Sequence, residues 1–157
     1  MGGLQHELKK RQPFASAEQE ALLNLMRTAD LVQIRFERLF REFGLTPSQY
    51  NVLRILRGEG KPLPILEIAE RTIAVAPGIT GLIDRLEKAG LARRERSTQD
   101  RRVIFVCVTA QATELLARID EPLESLQRDL ASPLAQAELR ELSRLLEKLR
   151  AGCTGKV

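Results

Sequence analysis

Two short helical patterns followed at once by a pair of strands constrain the fold of this 157-residue chain more than any other feature. Residues 64–72 and 76–90 each place apolar residues at helical spacing, and three residues separate the two patterns. Residues 91–96 and 102–108 have the composition of strands, and the polar loop 97–101 joins them. A helix pair that leads into a two-stranded hairpin predicts a winged helix-turn-helix.

Longer helical patterns flank this module. Over residues 17–43, apolar residues recur every seven positions in two adjacent series, which predicts one long helix with a continuous apolar stripe. Leucine stripes over 111–150 predict two further helices. Both regions carry more apolar surface than one small winged module can cover, so we expect a homodimer. The alternative is a monomer that folds its own helical bundle.

The predicted fold class is therefore mainly α with a small β-hairpin wing: a winged helix-turn-helix with long N- and C-terminal dimerisation helices. Local signals support it. Thr46, Pro47 and Gln49 fit a capping box, which predicts a helix that starts there and stops at Gly58. In chain order, the predicted regions are a flexible tail (1–16), a helical dimerisation region formed by 17–44 and 111–150, a winged helix-turn-helix DNA-binding domain (45–110) and a second flexible tail (151–157).

Charge is unevenly distributed along the chain. The net charge is only +4, but residues 85–102 hold seven Lys or Arg against three acids. Residues 111–150 hold six Lys or Arg against eight acids. The electrostatic field should therefore have a direction, with its positive side at the second helix of the pair and the hairpin.

The second helix of the pair shows which side chains face outward. When its apolar residues are turned inward, the outward positions are Gly78, Gly81, Arg85 and Lys88, and Thr80 and Asp84 flank that face. We predict this face as the surface that enters the DNA major groove. Each glycine in a helix costs roughly 1 kcal/mol relative to alanine. Either the missing side chains let the backbone approach a phosphate or groove wall, or the glycines reflect helix crowding or simple tolerance.

The hairpin concentrates arginines, at a Coulombic cost that is relieved when DNA phosphates replace counterions. Arg101 and Arg102 lie at the predicted tip of the wing, where arginine can enter the narrow minor groove. Asp100 can hold the guanidinium of Arg102 in a charge-assisted pair. The candidate phosphate contacts on the first strand are Arg93, Arg94 and Arg96. The alternative is a solvated charged turn and strand face.

Three consecutive blocks of the sequence carry a family resemblance: GLTPSQYNVLRIL, LEIAERTIAVAPGITGLIDRLEKAGLARR and STQDRRVIFVCVT. In this order they resemble the MarR family of transcriptional regulators. The resemblance covers about residues 17–150, and its most specific part is Asp-Arg-Arg followed by a strand and Thr109. Gly81 departs from the family pattern, since many members have a basic or polar side chain there.

The resemblance implies a sequence-specific transcriptional regulator: a homodimeric repressor that binds pseudo-palindromic double-stranded DNA and is released by a small aromatic or anionic effector. It also implies that Arg102 enters the minor groove with Asp100 as its brace. The competing class is a winged-helix protein–protein interaction module that binds no DNA. The residues that would bind the effector are not identified by the sequence.

Nothing in the sequence predicts an enzyme. The only histidine, His6, lies in the predicted N-terminal tail, and no Cys/His set has metal-ligand spacing. We therefore expect no cofactor and no metal. Cys107 and Cys153 are expected to be reduced thiols, and a redox role for either stays open. No apolar run approaches the roughly 18–20 residues that span a bilayer, so a cytoplasmic protein without membrane contact is expected.

Overall fold

The computed structural model of the chain describes residues 3–73, 78–98, 100 and 102–153. They form two compact units, Met1–Ile119 and Asp120–Val157. The elements, in chain order, are α1 (Leu4–Glu7), α2 (Ala17–Glu42), α3 (Pro47–Glu59), β1 (Leu63–Pro64), α4 (Ile65–Glu70), α5 (Ile79–Lys88), β2 (Ala92–Arg96), β3 (Ile104–Val108), α6 (Ala110–Ala131) and α7 (Gln136–Cys153). The predicted class, mainly α with a small β wing, is confirmed.

The capping box at the start of α3 is present as predicted. The Thr46 hydroxyl accepts a hydrogen bond from the Gln49 backbone N–H at 3.2 Å, and the Gln49 side chain accepts one from the Thr46 N–H at 2.9 Å. The prediction that Gly58 stops this helix is wrong. The helix continues to Glu59, and Gly60 ends it with a left-handed backbone, φ 69°. A left-handed terminus is the conformation that glycine adopts at least cost, so the second of the two glycines provides the stop.

The sheet has three antiparallel strands in the order β1-β3-β2. β2 and β3 form the predicted hairpin, with a register from Ala92 opposite Val108 to Arg96 opposite Ile104. β1 is an additional strand that the sequence did not predict, and it pairs Leu63 with Val106. Two residues are too few to show the alternation by which a strand is recognised.

A buried aliphatic core holds the winged module together. Its fully buried members come from α3, β1, α4, α5 and β3: Val52, Leu53, Leu56, Leu63, Ile68, Ile83, Leu86 and Val106. The apolar face predicted for α5 is therefore largely correct, although Ile79 is only half-buried and Ala89 is exposed. Because α4, α5 and the hairpin share this core, the core fixes the direction in which α5 presents its outward face.

The long helices bury much less of their apolar surface. On α2 only Phe40 is buried, and its ring stacks on that of Tyr50 at 4.2 Å between centroids. Leu22 and Leu25, from the predicted stripe, are 48% and 36% exposed. Within the second unit, no residue of α7 is buried, and Leu142, Leu145 and Leu149 are all exposed.

The two predicted tails are partly helical. Within residues 1–16, α1 forms one short helical turn, and Leu4 is 5% exposed, so this segment is not a simple flexible tail. Ser16 caps α2 by accepting a hydrogen bond from the Gln19 N–H at 3.2 Å. At the other end, α7 extends to Cys153, inside the predicted tail 151–157. None of the described helices combines the length and the apolar character needed to cross a bilayer.

Candidate nucleic-acid interface

The outward face of α5 is largely as predicted. Thr80, Arg85 and Lys88 are exposed, and Gly81 is half-buried. A Cβ atom added at Gly81 would meet no atom within 4 Å. Helix crowding therefore does not explain this glycine. The two remaining explanations are that a ligand approaches the backbone closely and that the glycine is simply tolerated.

Gly78 does not belong to this face, and its predicted place in the helix is wrong. It is the N-cap residue of α5 and has a left-handed backbone, φ 82°, so the helix begins only at Ile79. Glycine is required here by conformation, since other residues adopt a positive φ only at a cost. Because glycine has no side chain, this N-cap provides no side-chain hydrogen bond to the first turn.

Arg94 on β2 reaches across to α5. Its guanidinium lies 2.6 Å from Asp84 Oδ1 and 2.7 Å from Glu87 Oε2, and it donates a 3.3 Å hydrogen bond to the Thr80 carbonyl. Its backbone N–H also donates to Glu87 Oε1 at 3.0 Å. Burial alone would lower the pKa of Arg94, but the hydrogen bonds to Asp84 and Glu87 outweigh it and raise that pKa. In this arrangement the donors of Arg94 serve α5, and its role as a phosphate contact stays a prediction.

The wing loop is organised by Asp100, but differently from the prediction. Asp100 Oδ1 accepts a hydrogen bond from the backbone N–H of Arg102 at 2.9 Å, rather than from its guanidinium. The Asp100 N–H donates to the Ser97 hydroxyl at 3.1 Å, and the Asp100 carbonyl accepts from the Val103 N–H at 3.0 Å. Asp100 therefore shapes the turn, and the side chain of Arg102 is exposed. Arg101 lies outside the described residues.

Comparison with known proteins identifies the class to which this surface belongs. Residues 45–104 match the MarR family. A MarR transcription factor from Planctomyces limnophilus is 41% identical in sequence, with 86% of this chain and 98% of that chain covered and a TM-score of 0.67. The chain belongs to the MarR family. It is therefore a winged-helix, DNA-binding transcriptional regulator, as the sequence predicted.

Two further relatives are similar over most of their length. The homoprotocatechuate degradative operon repressor of Escherichia coli is 24% identical over 127 residues, which cover 81% of this chain and 85% of the repressor. NadR, whose structure was solved in complex with 4-hydroxyphenylacetate, is 25% identical, with 88% of this chain and 97% of that chain covered and a TM-score of 0.68. These relatives of the MarR-family chain are regulators rather than enzymes.

The other two predicted phosphate contacts of this MarR-family chain remain on the surface of β2. Arg93 is exposed and lies 2.5 Å from Glu95, and its hydrogen bond lowers the pKa of that carboxyl group. Arg96 is exposed, and its side chain makes no ion pair with any residue of the described segments. Cys107 is half-buried opposite Arg93, and burial followed by the Glu95 charge raises the pKa of its thiol.

Sequence reasoning missed two roles. Asp84 and Glu87, three residues apart on α5, both pair with Arg94. In the sequence, the only sign of this pairing is that two acids on a helix precede an arginine-rich strand. Thr109 joins three segments: its hydroxyl donates to the Gly90 carbonyl at 2.7 Å and accepts from the Ala112 N–H at 3.2 Å. The end of α5 is thereby attached to the first turn of α6.

A groove in the first unit lies between α2 and the start of α3. Its volume is about 600 Å³, and it is lined by Gln33, Glu37, Arg41, Leu45, Thr46 and Ser48, among others. This volume falls within the range of small-molecule sites. Within the described segments, no group of three or more His, Cys, Asp or Glu side chains is placed to hold a metal ion.

Proposed function

We propose that this MarR-family chain is a homodimeric, cytoplasmic repressor that binds a pseudo-palindromic operator and releases it when a small aromatic or anionic effector binds. The predicted domains keep their roles in this proposal: residues 45–110 bind DNA, and 17–44 with 111–150 form the dimer. Thr80, Gly81, Arg85 and Lys88 meet the major groove. Arg101 and Arg102 meet the minor groove, and Arg93 and Arg96 contact phosphates.

The observation that carries the proposal is the outward face of α5. Arg85 and Lys88 are exposed on it, Gly81 leaves its backbone open, and the buried core fixes the direction of the helix. β2 lies directly beside α5 through Arg94 and carries the exposed Arg93 and Arg96. A helix and an arginine-rich hairpin held side by side suit one duplex, with the helix in the major groove and the wing over the adjacent backbone.

The uncovered apolar surface of the long helices supports a dimer. Leu22, Leu25 and Met26 on α2 are 48%, 36% and 67% exposed, and Leu142 and Leu145 on α7 are 45% and 47% exposed. Extended apolar surface of this kind marks an interaction site. A second copy of the chain supplies a matching surface, and a two-fold dimer matches the symmetry of a palindromic operator.

The groove between α2 and α3 supports the effector. Arg41 lies on its wall and offers a positive charge to a carboxylate, and the volume of about 600 Å³ accommodates an aromatic acid. NadR binds 4-hydroxyphenylacetate, which is an aromatic carboxylate. The expected chemistry of the effector is therefore an aromatic ring with an anionic or phenolic group.

The decisive experiment selects bound sequences from a random duplex pool and then measures the affinity of the winning duplex across a series of salt concentrations. A palindromic winner and a steep loss of affinity with salt support the proposal. Arg85→Ala should weaken binding and lower the salt slope by about 1, while Arg35→Ala on α2 should do neither. Failure to enrich any duplex would favour a protein–protein module. Adding aromatic acids to the complex then tests release.

A further inference from the structure

The helix proposed to enter the major groove has no net charge of its own. Arg85 and Lys88 are cancelled by Asp84 and Glu87, so α5 brings as many carboxylates as cations toward the duplex. An unpaired carboxylate close to DNA phosphates is repelled. A further positive charge beside these carboxylates would reduce that repulsion.

Arg94 supplies that charge along the length of the helix. Its three partners on α5 are Thr80, Asp84 and Glu87, which are spaced four and three residues apart and therefore lie on one side of the helix. Groups from the first turn of the helix to its last thus converge on one guanidinium. Since the backbone N–H of Arg94 also bonds Glu87, the strand and the helix are joined by both main chain and side chain.

The side chain of Arg94 is less exposed to solvent than those of its two acidic partners. Its side chain is 22% exposed, whereas those of Asp84 and Glu87 are 50% and 39% exposed. A phosphate contact would require the guanidinium to give up these bonds and to leave two half-exposed carboxylates unpaired. Arginine suits the bridging position because its planar fork of donors can serve several acceptors at once, which the single ammonium of lysine cannot do equally well.

We propose that Arg94 is a positioning residue of the DNA-binding surface, which aligns α5 against the wing strand and pairs with Asp84 and Glu87 without contacting the duplex. This inference rests on the proposed DNA-binding function. It assigns to one of the wing arginines a role toward the protein, whereas Arg93, Arg96 and Arg102 face outward.

The test compares variants of the full-length chain on a duplex selected with the wild type, by fluorescence anisotropy over a range of salt concentrations. Arg94→Ala should raise the Kd by roughly tenfold or more, because two carboxylates then face the phosphates unpaired. The slope of log affinity against log salt concentration should stay close to that of the wild type for Arg94→Ala, whereas Arg85→Ala should reduce the magnitude of this slope by about 1. A loss of about 1 in slope for Arg94→Ala would show a phosphate contact and overturn the inference.

A second comparison isolates the carboxylates. Adding Asp84→Asn and Glu87→Gln to Arg94→Ala should restore most of the lost affinity, because the carboxylates that Arg94 pairs with are gone. Adding Glu114→Gln and Glu121→Gln instead, two exposed carboxylates of α6, is the charge-matched control and should restore little. Equal recovery by both pairs, or recovery by neither, contradicts the inference.

Two outcomes distinguish this inference from the proposed function. If the wild type binds no duplex, the proposed function fails. If the wild type binds and Arg94→Ala binds equally well, only the role of Arg94 fails. Arg94→Lys provides a variant that retains the charge should Arg94→Ala fold poorly. It should remain several-fold weaker than the wild type, since lysine cannot hold all three partners, and full recovery would indicate a simple phosphate contact.

Discussion

The winged module and the long helices use their apolar residues in opposite ways. In the winged module, residues such as Leu53, Leu86 and Val106 are completely buried, and charged side chains such as Arg94 are occupied by partners. On α2 and α7, leucines repeat as regularly but stay largely exposed. One region buries its apolar residues within a single chain and the other leaves them exposed, which suggests that stability and assembly depend on separate parts of the molecule.

The largest effect should come from the core of the module. Ile83 on α5 is fully buried, and Ile83→Ala should lower the free energy of unfolding by about 2–5 kcal/mol, because it removes packed methyl groups and leaves a cavity. Chemical denaturation followed by circular dichroism measures this loss. Ile73→Ala, at an 85% exposed position, is the control and should change stability little. Similar losses at both positions would mean that the core is not where the structure puts it.

The next effect should fall on assembly. Leu22→Asp places a charge on the exposed stripe of α2 and should raise the dimer dissociation constant by more than about tenfold, while it leaves the fold of the winged module intact. Sedimentation equilibrium measures the change. Asn24→Asp, which adds the same charge outside the stripe, should leave the dimer unaffected. A wild-type chain that is monomeric at all concentrations would refute the contrast between the two regions.

A smaller effect is expected at Gly81, where stability and binding should change in opposite directions. Gly81→Ala should stabilise the fold by roughly 0.5–1 kcal/mol, because alanine favours the helix and its Cβ meets no atom within 4 Å. If the duplex backbone approaches this point closely, the same change should weaken DNA binding. Thermal denaturation and anisotropy measure the two quantities. Unchanged DNA affinity would show that the glycine is merely tolerated.

The smallest effect concerns acid stability. Arg71 joins the end of α4 to Glu59 on α3 at 2.6 Å and also pairs with Glu67. Its hydrogen bond lowers the pKa of Glu59 from the ordinary 4.5. A lowered pKa contributes stability above pH 4.5 that is lost as the pH falls through the lower value. Arg71→Ala should therefore be slightly less stable than the wild type at neutral pH, and the difference should shrink below pH 4.5.

Denaturant midpoints over a series of pH values measure this difference. Arg128→Ala in the second unit is the control, because its guanidinium lies 3.7 Å from Glu124 on the surface. It should show almost no destabilisation at any pH. A difference between wild type and Arg71→Ala that does not change with pH would exclude the pairing with Glu59 as its cause.

The sequence predicted best the features that depend on neighbouring residues. The capping box at Thr46 needs only two side chains three positions apart, and the inward face of α5 follows from helical spacing alone. The predicted end of α3 at Gly58 was wrong, because Gly58 and Gly60 are both suitable stops and the choice depends on how the following loop joins β1.

The roles of the arginines could not be predicted from their local sequence. Arg93, Arg94 and Arg96 stand within four positions on one strand, yet only Arg94 faces Asp84 and Glu87. Which arginine meets α5 depends on the register and twist of the hairpin, and these are set by the packing of β3 on the core. Likewise, the Asp100 carboxylate could accept a hydrogen bond from either the guanidinium or the backbone N–H of Arg102. In the tight turn of the loop it accepts from the backbone N–H.

The position of β2 in the sheet has a further consequence. It is an outer strand, with an unpaired edge that could recruit strands from other chains and start aggregation. Its two exposed arginines, Arg93 and Arg96, outnumber its one acid, Glu95, so identical edges carry like charge and repel one another when two copies meet. β1, the opposite outer strand, is only two residues long and ends in Pro64, which has no N–H to donate. The charges proposed to bind nucleic acid thus also help to keep the protein from polymerising through its own sheet.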